Sequence, residues 1–249
     1  VRKSRDPDWL GVHTPGAPLP SGSNMNVTPT SAAQQLRETL AAAKRAQRCI
    51  LMPACHDCLS AVLIQRSGFE VAVSATQLAL PDAGLISYDE QVSVGRSICE
   101  VTRGKLLVIG DGDTGFGGSG NIMRMIRGYA GCGFAGITIE DQCFPKHGSF
   151  ARVLTVEARD VAVERVRAAV AARDEMRRDD GLDLLIIGRT DCRNANVDGG
   201  LEEAIARCKA FAAAGAEVVH ASGLAGSQEM RLLNQALADA FPGTLTMLT

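Results

Sequence analysis

The most informative stretch of the sequence is VIGDGDTGFG, at residues 108–117. Its apolar start is typical of a buried strand, and the strand runs directly into two carboxylates, Asp111 and Asp113. Side chains two residues apart in an extended chain point to the same side, and glycines let the backbone approach a ligand closely. Because Mg²⁺ prefers a few carboxylates with retained waters, the stretch predicts either a magnesium site or an Asp-rich turn.

A second acidic strand end follows about one βα unit later. Residues 137–142 read ITIEDQ, so Glu140 and Asp141 end another apolar run. Two acidic ends on neighbouring strands are costly unless a cation or protons neutralise them. We therefore expect residues 111–113 and 140–141 to face one another as a Mg²⁺ site at the C-terminal ends of the strands.

Short apolar runs alternate with longer helical stretches from about Pro29 onward, which is the pattern of successive βα units. The predicted strands are 50–54, 70–74, 106–110, 136–140, 184–188, 217–221 and 244–248. The predicted helices lie near 31–46, 59–67, 89–102, 122–131, 158–176, 201–214 and 228–240. This order predicts an α/β fold with parallel strands.

Parallel strands linked by helices form either an open doubly wound sheet or a closed barrel. Asp111, Glu140 and Arg189 each follow an apolar run, so several strands bring polar groups to one rim, as in barrel enzymes. A dinucleotide-binding sheet would need a Gly-rich turn after its first strand, and residues 50–57 contain none. The sequence therefore predicts a (β/α)8-type TIM barrel.

The predicted barrel domain, residues 31–249, is incomplete, because it contains one strand fewer than a full barrel and is truncated after the seventh. Either the chain is a fragment or a partner covers the gap, since an open barrel exposes strand edges and apolar helix faces. We expect the isolated chain to be poorly soluble unless it is bound to other protein. Residues 1–30 lack apolar periodicity and predict a disordered or docking N-terminal arm.

Composition limits the partners. The net charge of -2 over 249 residues gives no electrostatic footprint for nucleic acid or an anionic membrane surface. No apolar run approaches the roughly 20 residues that cross a bilayer, so the protein is not expected to span a membrane. The 8 cysteines are too sparse for a disulfide scaffold and indicate reduced thiols in a reducing compartment, the cytoplasm or an organelle interior.

Five motifs occur in a fixed order between about Ile50 and the C-terminus. They are LPD at 80–82, GDGDTGFG at 110–117, IEDQCFPK at 139–146, IGRTD at 187–191 and GLEEAI at 200–205. Together they resemble the isocitrate lyase and phosphoenolpyruvate mutase superfamily. The resemblance implies a barrel, usually tetrameric, that uses Mg²⁺ to bind a 2-oxo acid or its enolate while a C–C or P–C bond is made or cleaved.

The resemblance also implies a metal set. Asp111 would be the direct Mg²⁺ ligand, and Asp82, Asp113 and Glu140 would hold waters bound to the metal. Arg189 matches an arginine that pairs with a substrate carboxylate or phosphonyl group, a role that suits the two-pronged guanidinium.

The remaining candidates lie on loops. Lys146 stands where the family's gating loop begins, so Lys146, His147 and Arg189 are the candidate catalytic residues. The candidate substrate-binding residues, besides Arg189, are His56, Ser74 and Ala75.

Three departures from the family pattern bear on activity. The gating loop reads PKHGSF at 145–150, without the cysteine that serves the lyase branch as acid or base, and it is closer to the phosphonate branch. His147 either supplies a proton or is a solvated loop residue.

The loop after the second strand is shortened to Ser74-Ala75-Thr76. Ser222 replaces an acidic or histidine residue, while His220 is predicted to be packed.

We expect a Mg²⁺-dependent lyase, mutase or hydrolase that acts on a 2-oxo acid or related small carboxylate through an enolate-like intermediate. The alternative is a catalytically inactive pseudoenzyme of the same fold, serving as a structural or accessory subunit of a larger complex. In either case the chain is expected to be a homo-oligomer or a subunit of a larger protein complex.

Overall fold

The computed structural model describes residues 31–74, 78–148 and 154–248. Within these residues seven strands alternate with seven helices. The strands are β1 (Ala54–Cys55), β2 (Val71–Ser74), β3 (Leu107–Asp111), β4 (Gly136–Glu140), β5 (Leu185–Thr190), β6 (Val218–Ala221) and β7 (Leu245–Met247). The helices are α1 (Ala32–Arg45), α2 (Cys58–Arg66), α3 (Tyr88–Thr102), α4 (Ser119–Cys132), α5 (Arg159–Asp179), α6 (Gly200–Ala213) and α7 (Ser227–Ala240). The predicted alternation is confirmed.

The strands form one parallel sheet in the order β1-β2-β3-β4-β5-β6-β7. Neighbours in the chain are therefore neighbours in the sheet, which is the order of a TIM-barrel-type fold and confirms the predicted fold class, including the count of seven strands. All carboxyl ends of the strands lie on one rim. Glu140 is opposite Arg189 in the register of β4 and β5, and Arg189 is opposite His220 in that of β5 and β6.

The first strand is shorter than the predicted 50–54. The Val73 N–H donates to the Pro53 carbonyl at 3.1 Å, so pairing begins before β1, but Pro53 has no N–H with which to continue a ladder. The predicted arm, residues 1–30, lies outside the described residues. None of the described helices is both long and apolar enough to cross a bilayer.

The strands bury both faces. One apolar cluster, which includes Val108 and Ile186, fills the space between the sheet and helices α2 to α7. A second cluster gathers the opposite face of the strands around Leu36 of α1, and includes Ile109 and Ile187. Because side chains alternate along a strand, the residues two positions after members of this inner cluster continue on the inner face.

That continuation places polar groups inside the rim. Asp111 follows Ile109, Arg189 follows Ile187, and His220 follows Val218 of the same inner cluster. On β4 a side chain added at Gly136 would meet Leu36, so Gly136, Thr138 and Glu140 also face inward. The fold thus brings the predicted polar residues of four neighbouring strands to one end of the barrel interior.

Candidate active site

The turn after β3 carries the first pair of acids. The Asp113 N–H donates to Asp111 Oδ1 at 3.1 Å, and the Asp111 N–H donates to Ser74 Oγ at 3.2 Å. Gly112 makes this turn fit against β4, since its N–H donates to the Thr138 carbonyl at 2.9 Å. A Cβ at this position would lie 2.5 Å from that carbonyl oxygen, so only glycine allows the approach.

The Lys146 ammonium forms ion pairs with three of the predicted acids. Its Nζ lies 2.8 Å from Asp82 Oδ1 and 4.0 Å from Glu140 Oε1, and it forms a further ion pair with Asp113. Only 3% of Lys146 is exposed. Burial alone would lower the pKa of Lys146, but the charges of Asp111, Glu140 and Asp113 outweigh it and raise that pKa. The lysine is therefore a buried, protonated cation among carboxylates.

Glu140 is the most deeply buried of these acids. Neither of its carboxylate oxygens has a hydrogen-bond donor in the described part of the chain, although Arg189 Nη1 lies 3.4 Å from Oε2. Burial raises the pKa of Glu140 to about 8, against the opposing charges of Arg189 and Lys146. Burial and Asp111 likewise raise the pKa of Asp113 to about 6. A packed strand end with no ligand to bind does not require acids held at such a cost.

Arg189 presents its two-pronged edge to a carboxylate of the same chain. Its Nε and Nη2 each lie 2.9 Å from an oxygen of Asp191, which is 0% exposed. Asp191 was not singled out from the sequence, although it belongs to the IGRTD motif. The guanidinium therefore connects Asp191 on one side with Glu140 on the other.

Asp141 does not share the site with Glu140, contrary to expectation. Its carboxylate accepts hydrogen bonds from Thr190 Oγ1 at 2.6 Å, from the Asp191 N–H at 2.9 Å and from Arg207 Nη1 at 2.8 Å. Consecutive residues at the end of a strand point to opposite sides, which explains why Glu140 faces inward and Asp141 does not. Nothing in the sequence indicated Arg207.

The other predicted site residues have no described contact with the Lys146 ammonium. His147 is exposed, and its N–H donates to Gln142 Oε1 at 3.0 Å. His56 is exposed beside Asp57, with 3.9 Å between His56 Nε2 and the carboxylate, and the described contacts do not connect it with Lys146. Ser74 is connected through its bond with Asp111, whereas Ala75 lies outside the described residues.

The two candidates on β6 and its following turn differ in setting. His220 is 1% exposed, which confirms that it is packed, and burial together with Arg189 lowers its pKa to about 4. Ser222 Oγ accepts a hydrogen bond from Asn194 Nδ2 at 2.9 Å.

The donor set suits a hard cation. Asp82, Asp111 and Asp113 line a small cavity of about 20 Å³ beneath residues 78–86, which has room for about one water or ion. Carboxylate oxygens are ligands that Mg²⁺ accepts, and Glu140 has unused acceptor capacity nearby. As they stand, however, no three acidic, histidine or cysteine side chains of the described residues are grouped tightly enough to enclose an ion. The residue types therefore fit Mg²⁺, while Lys146 supplies the positive charge in this arrangement.

A parallel TIM-barrel-type sheet with buried acids, a lysine and an arginine at the carboxyl ends of its strands defines a class of barrel proteins with their site on that rim. The chain belongs to the phosphoenolpyruvate phosphomutase family, whose model matches residues 40–249. This confirms the predicted membership of the isocitrate lyase and phosphoenolpyruvate mutase superfamily, whose lyases, mutases and hydrolases act on small carboxylates.

One related protein and two solved structures illustrate what this chain is similar to. The 2,3-dimethylmalate lyase of Eubacterium barkeri is 32% identical over 211 residues, covering 82% of this chain and 68% of that protein. The structure of oxaloacetate acetylhydrolase in complex with the inhibitor 3,3-difluorooxalacetate has a TM-score of 0.76 and 28% identity, covering 89% of this chain and 75% of the other. A phosphonopyruvate hydrolase complex with oxalate and Mg²⁺ has a TM-score of 0.69 and 26% identity, covering 88% of this chain and 72% of the other.

Proposed function

We propose that this protein is a Mg²⁺-dependent lyase, mutase or hydrolase that acts on a small 2-oxo acid or related carboxylate through an enolate-like intermediate. The observation that carries the proposal is the buried Glu140 carboxylate, which has no hydrogen-bond donor in the described residues and lies between Lys146 and Arg189. A cavity lined by Asp82, Asp111 and Asp113 adjoins this cluster through Lys146. Acids buried in this way are typical of a site completed by a cation.

The acids would divide the work of holding the metal. Asp111 would be the direct ligand, and Asp82, Asp113 and Glu140 would hold waters bound to it. Mg²⁺ would supply a Lewis acid that stabilises negative charge as it develops on the substrate oxygens.

The basic residues would bind and orient the substrate. Arg189 would pair with a substrate carboxylate, and Asp191 would keep its guanidinium in a fixed orientation. Lys146 would neutralise negative charge at the reacting group, and the exposed His147 would be the proton donor of the loop. His56, Ser74 and Ala75 remain candidate substrate-binding residues.

The similar structures indicate which substrates should be tested first. One similar structure is an oxaloacetate acetylhydrolase and another is a phosphonopyruvate hydrolase, so we propose oxaloacetate and phosphonopyruvate as the first candidates. Both are small 2-oxo acids, in agreement with a gating loop that lacks the lyase cysteine.

A second candidate is a pseudoenzyme that keeps the fold as a structural or accessory subunit. It is favoured by the ion pairs of Lys146 and Asp191, which already neutralise the groups that an active site would offer to metal and substrate. We also propose that the chain works as a homo-oligomer or within a larger complex. The exposed Leu51, Leu59 and Leu63, near the first strand, support that proposal.

Calorimetric titration with Mg²⁺ and oxalate, an analogue of the pyruvate enolate, separates the two candidates. An enzyme should bind oxalate only when Mg²⁺ is present, and Glu140→Gln should weaken that binding while the fold is kept. If neither Mg²⁺ nor oxalate binds the wild type, the enzyme proposal fails and the pseudoenzyme stands.

A further inference from the structure

A buried chain of contacts connects Arg207 and Asp141 with Asp191 and Arg189. Its centre is Asp141, a carboxylate that is only 1% exposed. Asp141 accepts hydrogen bonds from the Thr190 hydroxyl at 2.6 Å and from the Asp191 N–H at 2.9 Å. One carboxylate from the end of β4 therefore fixes both the last residue of β5 and the residue that follows it.

The second of these residues, Asp191, determines the orientation of the Arg189 side chain. The Asp191 carboxylate accepts two hydrogen bonds of 2.9 Å each, one from Arg189 Nε and one from Arg189 Nη2. A two-pronged pair of this kind fixes the plane as well as the position of the guanidinium. Because Asp141 holds the backbone of Asp191, a shift of Asp141 would turn Arg189.

Arg207 holds the Asp141 carboxylate in place from the side of α6. Arg207 belongs to α6, is 4% exposed, and lies 2.8 Å from Asp141 Oδ2 through Nη1. Its Nε is held by Glu203 Oε1 at 2.8 Å, so its orientation is fixed from the helix. Without the arginine the buried Asp141 carboxylate would lose its ion-pair partner, and nothing on the α6 side would hold it against Thr190 and Asp191.

We propose that Arg207 is a positioning residue, which acts through Asp141 and Asp191 to orient Arg189 toward the substrate carboxylate. The inference rests on the proposed function, because it uses Arg189 as the group that binds the carboxylate. Arg207 itself has no described contact with Lys146 or with the acids of the cavity. Its side chain is bonded instead to Asp141 and Glu203.

The first test compares two buried arginines. Arg207→Met should weaken Mg²⁺-dependent oxalate binding by at least about tenfold, because small misplacements of a binding group are expensive. Arg173→Met is the matched control, since Arg173 is 7% exposed and pairs with Glu217 at 3.1 Å near the opposite ends of the strands. It should change oxalate affinity by no more than about twofold, as expected for a distant, independent site.

Both variants are titrated at a temperature where circular dichroism shows them folded. Equal oxalate affinities for Arg207→Met and wild type would overturn the proposal. A double-mutant cycle tests whether Arg207 acts through Asp141. If it does, Arg207→Met should weaken oxalate binding much less in an Asp141→Asn background than in the wild type. Full, additive effects of the two substitutions would exclude action through Asp141.

A second measurement needs neither metal nor oxalate. The Arg189 Nε–H, which donates to Asp191, should give a side-chain NMR signal protected from exchange with water, identified by its loss in Arg189→Met. Arg207→Met should accelerate that exchange, and unchanged exchange would overturn the inference. If Arg207→Met does not fold, Arg207→Lys is measured in the same way with the same criterion. Should wild type bind no oxalate, the proposed function fails, and the NMR result alone decides the positioning role.

Discussion

The Lys146 ammonium lies 2.8 Å from the Asp82 carboxylate and forms a second ion pair with Asp113, among the residues predicted to hold the metal. It brings a positive charge into a setting that is only 3% exposed. The lysine therefore neutralises acids that would otherwise repel one another, and it competes with any cation for the same oxygens.

Lys146→Met should remove that internal cation. We expect the free energy of unfolding without metal to fall by about 3 kcal/mol at neutral pH, because the buried Asp113 carboxylate loses its counter-charge. The affinity for Mg²⁺ should rise, since the ion no longer displaces an ammonium. Urea unfolding and calorimetry measure the two effects, and Lys105→Met, at an exposed lysine, is the control. Unchanged stability and unchanged Mg²⁺ affinity together would contradict this role.

Asp111→Ala should abolish stabilisation by Mg²⁺. A ligand that binds only the folded state adds about 2.7 kcal/mol when its concentration is 100 times its Kd, and the variant should gain none of this. Thermal unfolding with and without Mg²⁺ measures the effect, with Asp239→Ala as the exposed control. A wild-type protein that shows no shift in saturating Mg²⁺ would rule out the metal site.

The loop chemistry predicts the reaction class. Residues 145–150 read PKHGSF, without a cysteine to supply the lyase proton, and a positioned acid or base is worth at least about a hundredfold in rate. We expect no cleavage of isocitrate or methylisocitrate, and turnover confined to smaller 2-oxo acids or phosphonates. Assays of glyoxylate and pyruvate release, with oxaloacetate and phosphonopyruvate in parallel, test this. Robust release of either product from the tricarboxylates would show that another group replaces the cysteine.

His220 should make the fold sensitive to acid. Burial and Arg189 lower its pKa from 6.5 to about 4, while Asp191 acts in the opposite direction. Between these values the unfolded chain binds a proton that the folded chain does not, so this contribution to stability is present above about pH 6.5 and is lost as pH falls toward about 4. At pH 5 the loss should be about 2 kcal/mol relative to pH 7.

His220→Gln removes the titrating group and is the reference for that measurement. The difference in unfolding free energy between wild type and His220→Gln should shrink on acidification from pH 7 to pH 5. A difference that stays constant over this range would show that His220 titrates alike in the folded and unfolded chains.

Much of the fold could be predicted from the sequence because its signals are local. A helix or strand leaves its period in adjacent residues, and the apolar runs at 107–109 and 185–187 indicated strands without knowledge of their partners. The placement of acids directly after such runs predicted that Asp111 and Glu140 would reach one rim, since parallel strands share their carboxyl ends. The short β1 was misjudged because its length depends on the missing N–H of Pro53 rather than on apolar character.

Only the tertiary structure decided which charges pair. Asp141 and Arg207 are 66 positions apart, and their contact follows from the packing of α6 behind the sheet, which no local pattern specifies. The same holds for Lys146, whose place among the acids depends on where its loop crosses Asp82. The sequence by itself determined the sheet and the chemical types on its rim, since these depend on backbone geometry and residue order. Partners and burial belong to the folded molecule, because charge interactions act through space and are strongest where packing excludes water.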